Sequence, residues 1–205
     1  MTQNKSRVES FSDAVFAFAA TLIVVSFEVP EDFTALRALM KDFISFAISF
    51  LVLFMMWKLH YNFFRRVDFV DNVIIAVNAV LLFVILFYVY PMKFIANSLI
   101  GKSRLSSFDE LGDLFIIYSI GFVLIFICFF ILYRYAARQT SKLETVQLLK
   151  FYSNHFGIFV FTGFLSILLS ILNVGMNFGL PGFVYMLLGP LCWLHASKFG
   201  TDIQD

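Results

Sequence analysis

Three side chains able to move a proton or hold a cation stand in otherwise apolar stretches: Asp13, His60 and Asn78, with the Ser12 hydroxyl next to the aspartate. Ionisable groups at membrane depth are costly and face protein or water rather than lipid. Their chemistry divides three ways. A hydrogen-bonded clasp would fix helix packing. An aspartate and a histidine together could titrate and pass a proton. Carboxylate and amide oxygens could instead ligate an ion. Around Asp13, the residues Ser10, Ala17, Thr21, Val24 and Glu28 follow in steps of three and four, the spacing of one helical face. That face is small or polar, while the adjacent line Phe11, Val15, Phe18, Leu22 and Val25 is bulky and apolar. A helix with such a stripe either buries it against other helices or lines a water path.

The remaining reactive residue types carry less. His155 and His195 lie near the ends of apolar runs, where an interfacial or satisfied imidazole is expected, and no His-x-x-x-His zinc spacing is present. Cys128 and Cys192 sit inside apolar runs as small hydrophobes. Gly-x-Ser-x-Gly, His-Glu-x-x-His and a phosphate-cradling glycine loop are missing, which argues against an enzyme. Thr-Val-Gly-Tyr-Gly is missing too, so any ion selection would have to come from side chains.

The elements that must position these residues follow from composition. With 60% hydrophobic residues, 29 phenylalanines and only 14% charged in 205 residues, the chain has too few charges to cover a water-facing surface. A net charge of +1 and the lack of a Lys/Arg stripe exclude nucleic acid as a partner. A bilayer crossing takes about 20 apolar residues, and the stretches near 8–29, 43–64, 70–92, 114–135, 154–174 and 180–197 supply them. The second carries Lys58, expected to snorkel, beside His60 and Asn62. The last contains Pro181, Gly182 and Pro190 and is expected to kink. Asp13 interrupts the apolar region that a cleavable signal peptide needs, so the first span is expected to stay in the mature chain. One connection, Lys93 to Asp113, is long and polar. Residues 1–205 therefore read as one all-α unit of six transmembrane helices, without a soluble domain or an internal repeat.

An even number of crossings puts both termini on one side. With the termini inside, the inner segments hold Lys5, Arg7, Lys58, Arg65, Arg66, Arg134, Arg138, Lys142, Lys150 and Lys198. The outer ones hold only Arg37, Lys41, Lys93, Lys102 and Arg104, and this excess predicts cytoplasmic ends. The helical rise then puts Asp13 roughly 9 Å past Arg7, His60 roughly 7 to 8 Å from the inner surface and Asn78 roughly 12 Å into the third span. All three fall in one layer. Asp13 lies about 240° around its helix from Arg7, so its partners are sought elsewhere, among His60, Asn78 and Ser12.

Read together, Arg7, Phe11, Ser12 and Asp13 spell Arg-x-x-x-Phe-Ser-Asp at the mouth of an apolar helix, and in this the sequence resembles the lysosomal and bacterial TMEM175 potassium channel family. Trp57 and His60 late in the second span, Asn78 in the third and Pro91 at its end follow in the order of the bacterial members. The resemblance covers about residues 7–95, and beyond Leu114 only hydropathy and span count agree. It implies a homotetramer of six-helix subunits in a bacterial plasma membrane, with further copies, the lipid bilayer and monovalent cations as partners. The first helices would line a central pore for K⁺, with no cofactor and no bound metal. Carried over by position, the pore constriction falls at Phe18, continued by Leu22 and Val25, and Thr21 supplies a selectivity hydroxyl. Arg7, Ser12, Asp13, His60 and Asn78 would form a packing network below, and Phe11 and Trp57 complete the motif.

Phe18 departs from the Ile or Leu usual in the family at the constriction. Four phenyl rings could plug the pore by dewetting, or turn aside and offer their π-faces to a cation. Phe18 and Thr21 differ by about 60° around the helix axis, so a small rotation would exchange an apolar lining for a polar one. Two other readings stand beside the channel. One is a proton-conducting or proton-coupled transporter using Asp13 and His60. The other is a non-conducting membrane scaffold, in which Phe18 is a permanent plug.

Overall fold

The computed structural model describes residues 4–25, 29–99 and 108–199; Glu28, Gly101, Lys102 and Arg104 lie outside them. Helices α1 (Lys5–Val25), α2 (Phe33–Arg66), α3 (Asn72–Leu99), α4 (Phe108–Gln139) and α5 (Leu143–Ile171) are followed by the short α6 (Leu180–Phe183) and by α7 (Leu188–Phe199). Lys5–Val25, Phe43–Arg66, Asn72–Ser98, Glu110–Gln139, Leu143–Ile171 and Leu180–Phe199 are long and apolar enough to cross a membrane. The chain is an all-α integral membrane protein.

Several boundaries differ from the sequence expectation. α2 and α4 begin early, at Phe33 and Phe108. Pro91 does not end the third helix: it sits inside α3, which runs on to Leu99. Proline withholds one N–H, but neighbouring helices and local adjustment tolerate this in membrane helices. The Lys93–Asp113 connection is correspondingly shorter than its polarity suggested. The last span is broken, as its prolines and glycines imply. Gly175 and Gly179 flank a 3-10 turn with φ of 68° and 66°, a conformation that costs glycine little, and a 3-10 segment at Val184–Leu187 joins α6 to α7.

α1 packs on both α2 and α3, α3 carries on to α4, and α4 and α5 form the most extensive pair. Small residues make the close approaches. A Cβ on Gly163 would meet Val123 at 2.5 Å, and one on Gly121 would come within 2.3 Å of the Tyr88 ring. Membrane helices gain their association from such packing, because lipid is as apolar as their surfaces. The abundant phenylalanines have a place here: Phe122, Phe126, Phe129, Phe156 and Phe159 pack ring on ring between α4 and α5. A hydroxyl relay locks the broken span to this pair. Tyr185 donates to Ser119 Oγ at 2.7 Å, Ser119 to Ser166 Oγ at 2.9 Å, and Ser166 to the Pro181 carbonyl at 2.9 Å.

One end of the bundle is tied by cations and a cap. Arg66 donates to the Tyr133 and Tyr152 hydroxyls at 3.3 and 2.8 Å and lies 4.0 Å from the Tyr152 ring centre. Lys5 Nζ donates to the Val67 carbonyl at 2.8 Å, fixing the start of α1 on the turn between α2 and α3. Asp71 caps α3 by accepting from the Val73 and Ile74 amides, and it also accepts from Tyr135 of α4. Partial desolvation pushes the Asp71 carboxyl up, but the hydrogen bonds from Ile74, Tyr135 and Val73 outweigh it and hold the group below its usual range.

Candidate functional site

The buried line of α1 is Ser12, Phe16, Ala19 and Ile23, in steps of four, three and four. Ser12 Oγ donates to the Val8 carbonyl at 2.8 Å and accepts from Asn78 Nδ2 at 2.9 Å. The Asn78 amide oxygen meets His60 Nε2 at 2.9 Å. An amide oxygen only accepts, so the His60 proton sits on Nε2. Ser12, Asn78 and His60 are 0%, 3% and 2% exposed, and together they clasp α1, α3 and α2. The His60 ring is also held edge-on by Phe16, with centroids 5.4 Å apart, and packs at a tilt on Phe64, at 4.7 Å.

Asp13 stands outside this clasp. Its Oδ1 accepts from Trp57 Nε1 at 2.8 Å, and Trp57 packs between Phe54 and Tyr61. The partner does come from another helix, but it is Trp57 rather than His60 or Asn78. Trp57 is one turn before His60 in the same layer, and its indole N–H needs an acceptor when desolvated. Depth therefore offered that signal. Arg7 is exposed and stands beside the clasp, in the wall of a cavity of about 390 Å³ that Phe11, Ile75 and Asn78 also line. Against α2, a second cavity of about 280 Å³ is lined by Ser6, Glu9, Ser10, Asp13, His60, Tyr61 and Phe64. Lys58 is exposed, its Nζ 5.1 Å from the Tyr61 ring centre.

Opposite the buried line, Ser10, Ala14, Ala17, Phe18, Thr21, Val24 and Val25 are all exposed, and Leu22 is half-buried at the edge. Phe18 is 56% exposed. Thr21 donates its hydroxyl proton back to the Ala17 carbonyl at 2.9 Å, so the exposed face offers its oxygen as an acceptor. A face that combines hydroxyls with the Asp13 carboxylate is unsuited to lipid. It calls for water, for other protein, or for both.

Cys128 and Cys192 are free thiols, the first buried. His155 and His195 approach each other across α5 and α7. Among the described residues no three His, Cys, Asp or Glu side chains gather to hold a metal. Sequence reading missed the Arg66–tyrosine contacts and the Tyr185–Ser119–Ser166 relay. Each joins groups on separate helices at separations that no local spacing marks.

Comparison with known proteins agrees with this architecture. The family described as endosomal/lysosomal potassium channel TMEM175 matches residues 7–91. A potassium channel of Marivirga tractuosa is 40% identical in a 156-position alignment that covers 69% of this chain and 63% of that protein. The match thus spans just under two thirds of that relative's length. A potassium channel of Chryseobacterium sp. (strain P1-3) is 26% identical over 95% of this chain and 94% of its own. Among solved structures, a variant of the potassium channel MtTMEM175, crystallised with a nanobody–MBP fusion, superposes with a TM-score of 0.83 at 31% identity, covering 97% of this chain and 94% of that one. A lysosomal potassium-selective channel TMEM175 homolog from Chamaesiphon minutus superposes with a TM-score of 0.59 at 26% identity, covering 90% and 97%.

Proposed function

Because this chain belongs to the TMEM175 family, we propose that it forms a channel passing K⁺ in preference to Na⁺, with four copies gathering their α1 helices around a central pore. The free face of α1 carries this reading: Ser10, Ala14, Ala17, Phe18, Thr21, Val24 and Val25 lie exposed opposite the line that packs on α2 and α3. Copies placed around an axis would cover part of that face with each other and wet the rest. Phe18, with Val25 beyond it and Leu22 at the edge, forms the apolar constriction, and the Thr21 oxygen lies one turn further along as a cation ligand. The clasp of Ser12, Asn78 and His60 sets the rotation of α1, and so decides which side chains meet the axis. Positive charge near Lys5, Arg7, Arg65 and Arg66 orients both termini to the cytoplasm.

The competing proton-transfer reading needs Asp13 and His60 to communicate. They line one cavity, but Trp57 holds the carboxylate and Asn78 holds the imidazole. A proton passing between them would have to break one of those bonds, which favours the channel. The test is ion flux from liposomes holding the purified protein. K⁺ should pass faster than Na⁺, and Phe18→Ala should raise the flux. Asp13→Asn, which keeps an oxygen for Trp57, should leave K⁺ flux in place. Flux driven by a pH gradient and abolished by Asp13→Asn would establish the transporter instead. No flux from either the native chain or Phe18→Ala, in a verified tetramer, would support the scaffold.

A further inference from the structure

His155 of α5 and His195 of α7 present the same ring atom to each other, Nδ1 to Nδ1 at 3.5 Å. Their ring centroids are 5.5 Å apart and their planes are inclined by 57°. A separation of 3.5 Å is long for a hydrogen bond between nitrogens. It is, however, close to the spread of two ligands on one ion: nitrogens ~2.0–2.1 Å from a tetrahedral metal lie about 3.3–3.4 Å apart. The rings are also held in place. Phe151 stands one turn before His155 and stacks on it, with centroids 5.8 Å apart, and reaches the His195 ring at 4.7 Å. Phe199, one turn after His195, lies 5.4 Å from that ring. Both imidazoles are only partly buried by protein, which leaves room for further ligands on a bound ion.

We propose that His155 and His195 form a two-histidine site for a divalent transition-metal ion of the Zn²⁺, Ni²⁺ or Cu²⁺ class, bridging α5 and α7. Imidazole nitrogen suits these ions, whereas K⁺, Mg²⁺ and Ca²⁺ take oxygen. With no third His, Cys, Asp or Glu gathered there among the described residues, water fills the remaining positions. The site is therefore an open, exchangeable one rather than a closed structural centre. Bridging would pin α7, whose own side chains are all at least partly exposed, to α5. The proposal is independent of the channel reading, since it concerns helices away from α1 and its test reads binding alone.

Trp193, two residues from His195 and exposed, provides the probe. Ni²⁺ titrated into the purified full chain in detergent should quench its emission saturably, and Trp193→Phe should remove most of that signal. His155→Gln and His195→Gln should each weaken the apparent affinity at least tenfold, while Cys192→Ser should leave it unchanged. Zn²⁺, which does not quench, should displace the Ni²⁺. If a histidine variant fails to fold, Cu²⁺ bound to the native chain should still show two equivalent nitrogen couplings by electron paramagnetic resonance. The proposal is overturned by no saturable quenching up to about 1 mM Ni²⁺, by quenching indifferent to His155→Gln, by its loss in Cys192→Ser, or by a single nitrogen coupling.

Discussion

A double-mutant cycle across Ser12 and Asn78 tests the clasp most directly. Ser12→Ala takes the acceptor from Asn78 Nδ2 and leaves an amide proton buried without a partner, a cost of about 1 kcal/mol. Asn78→Ala removes both of its hydrogen bonds. It strands the His60 Nε2–H, which is 2% exposed, and opens a small void, for about 2–3 kcal/mol in all. Once Asn78 is gone, the Ser12 hydroxyl still has the Val8 carbonyl, so losing it as well should add almost nothing. The double variant should therefore be about as stable as Asn78→Ala alone, a coupling of roughly 1 kcal/mol. That lies within the range of about 0.6 on average to 1.7 at most found for side-chain hydrogen bonds between membrane helices. The assay is SDS titration in mixed micelles read by circular dichroism, with all four proteins at one concentration because assembly shifts the midpoint. Additivity within about 0.3–0.5 kcal/mol would refute the shared bond. So would a destabilisation by Ser12→Ala equal to that of Asn78→Ala.

Three further outcomes follow from the same geometry. Thr21→Val removes the exposed oxygen while keeping the volume, and should cut the K⁺/Na⁺ flux ratio roughly five-fold, equivalent to about 1 kcal/mol, whereas Thr21→Ser should retain it; equal ratios would exclude the hydroxyl as a ligand. Asp71→Ala should cost about 1 kcal/mol at neutral pH through the lost cap. The Asp71 carboxyl is held below its usual range, so its contribution is complete above about pH 4 and fades as pH falls through the lowered value. The stability gap between Asp71→Ala and the native chain should accordingly close in acid, and a gap that stays constant with pH would contradict the charge-assisted cap. Gly121→Ala should destabilise by about 1–3 kcal/mol, because its methyl would overlap the Tyr88 ring. Tyr88→Leu should relieve that penalty, and an unaffected Gly121→Ala would show that the ring has room to move.

The sequence by itself determined how many times the chain crosses the membrane, since each crossing demands a run of apolar residues and that demand is local. Helical rise also placed Asp13, His60 and Asn78 in one layer, and helical period separated the Phe18 line from the Thr21 line, because both quantities run along a single helix. The partners within that layer were decided only by tertiary structure. Whether Asp13 meets Trp57 or His60, and whether Asn78 reaches Ser12, depends on how three helices are rotated and spaced against each other, which hydropathy does not encode. Pro91 belongs to the same class: the sequence shows a missing N–H, but surrounding packing decides whether the helix ends there or continues to Leu99. His155 and His195 are forty residues apart and unremarkable in sequence. They meet because glycines at positive φ and a 3-10 turn redirect the last span onto α5, a contact set by the path of the backbone rather than by any spacing of the residues themselves.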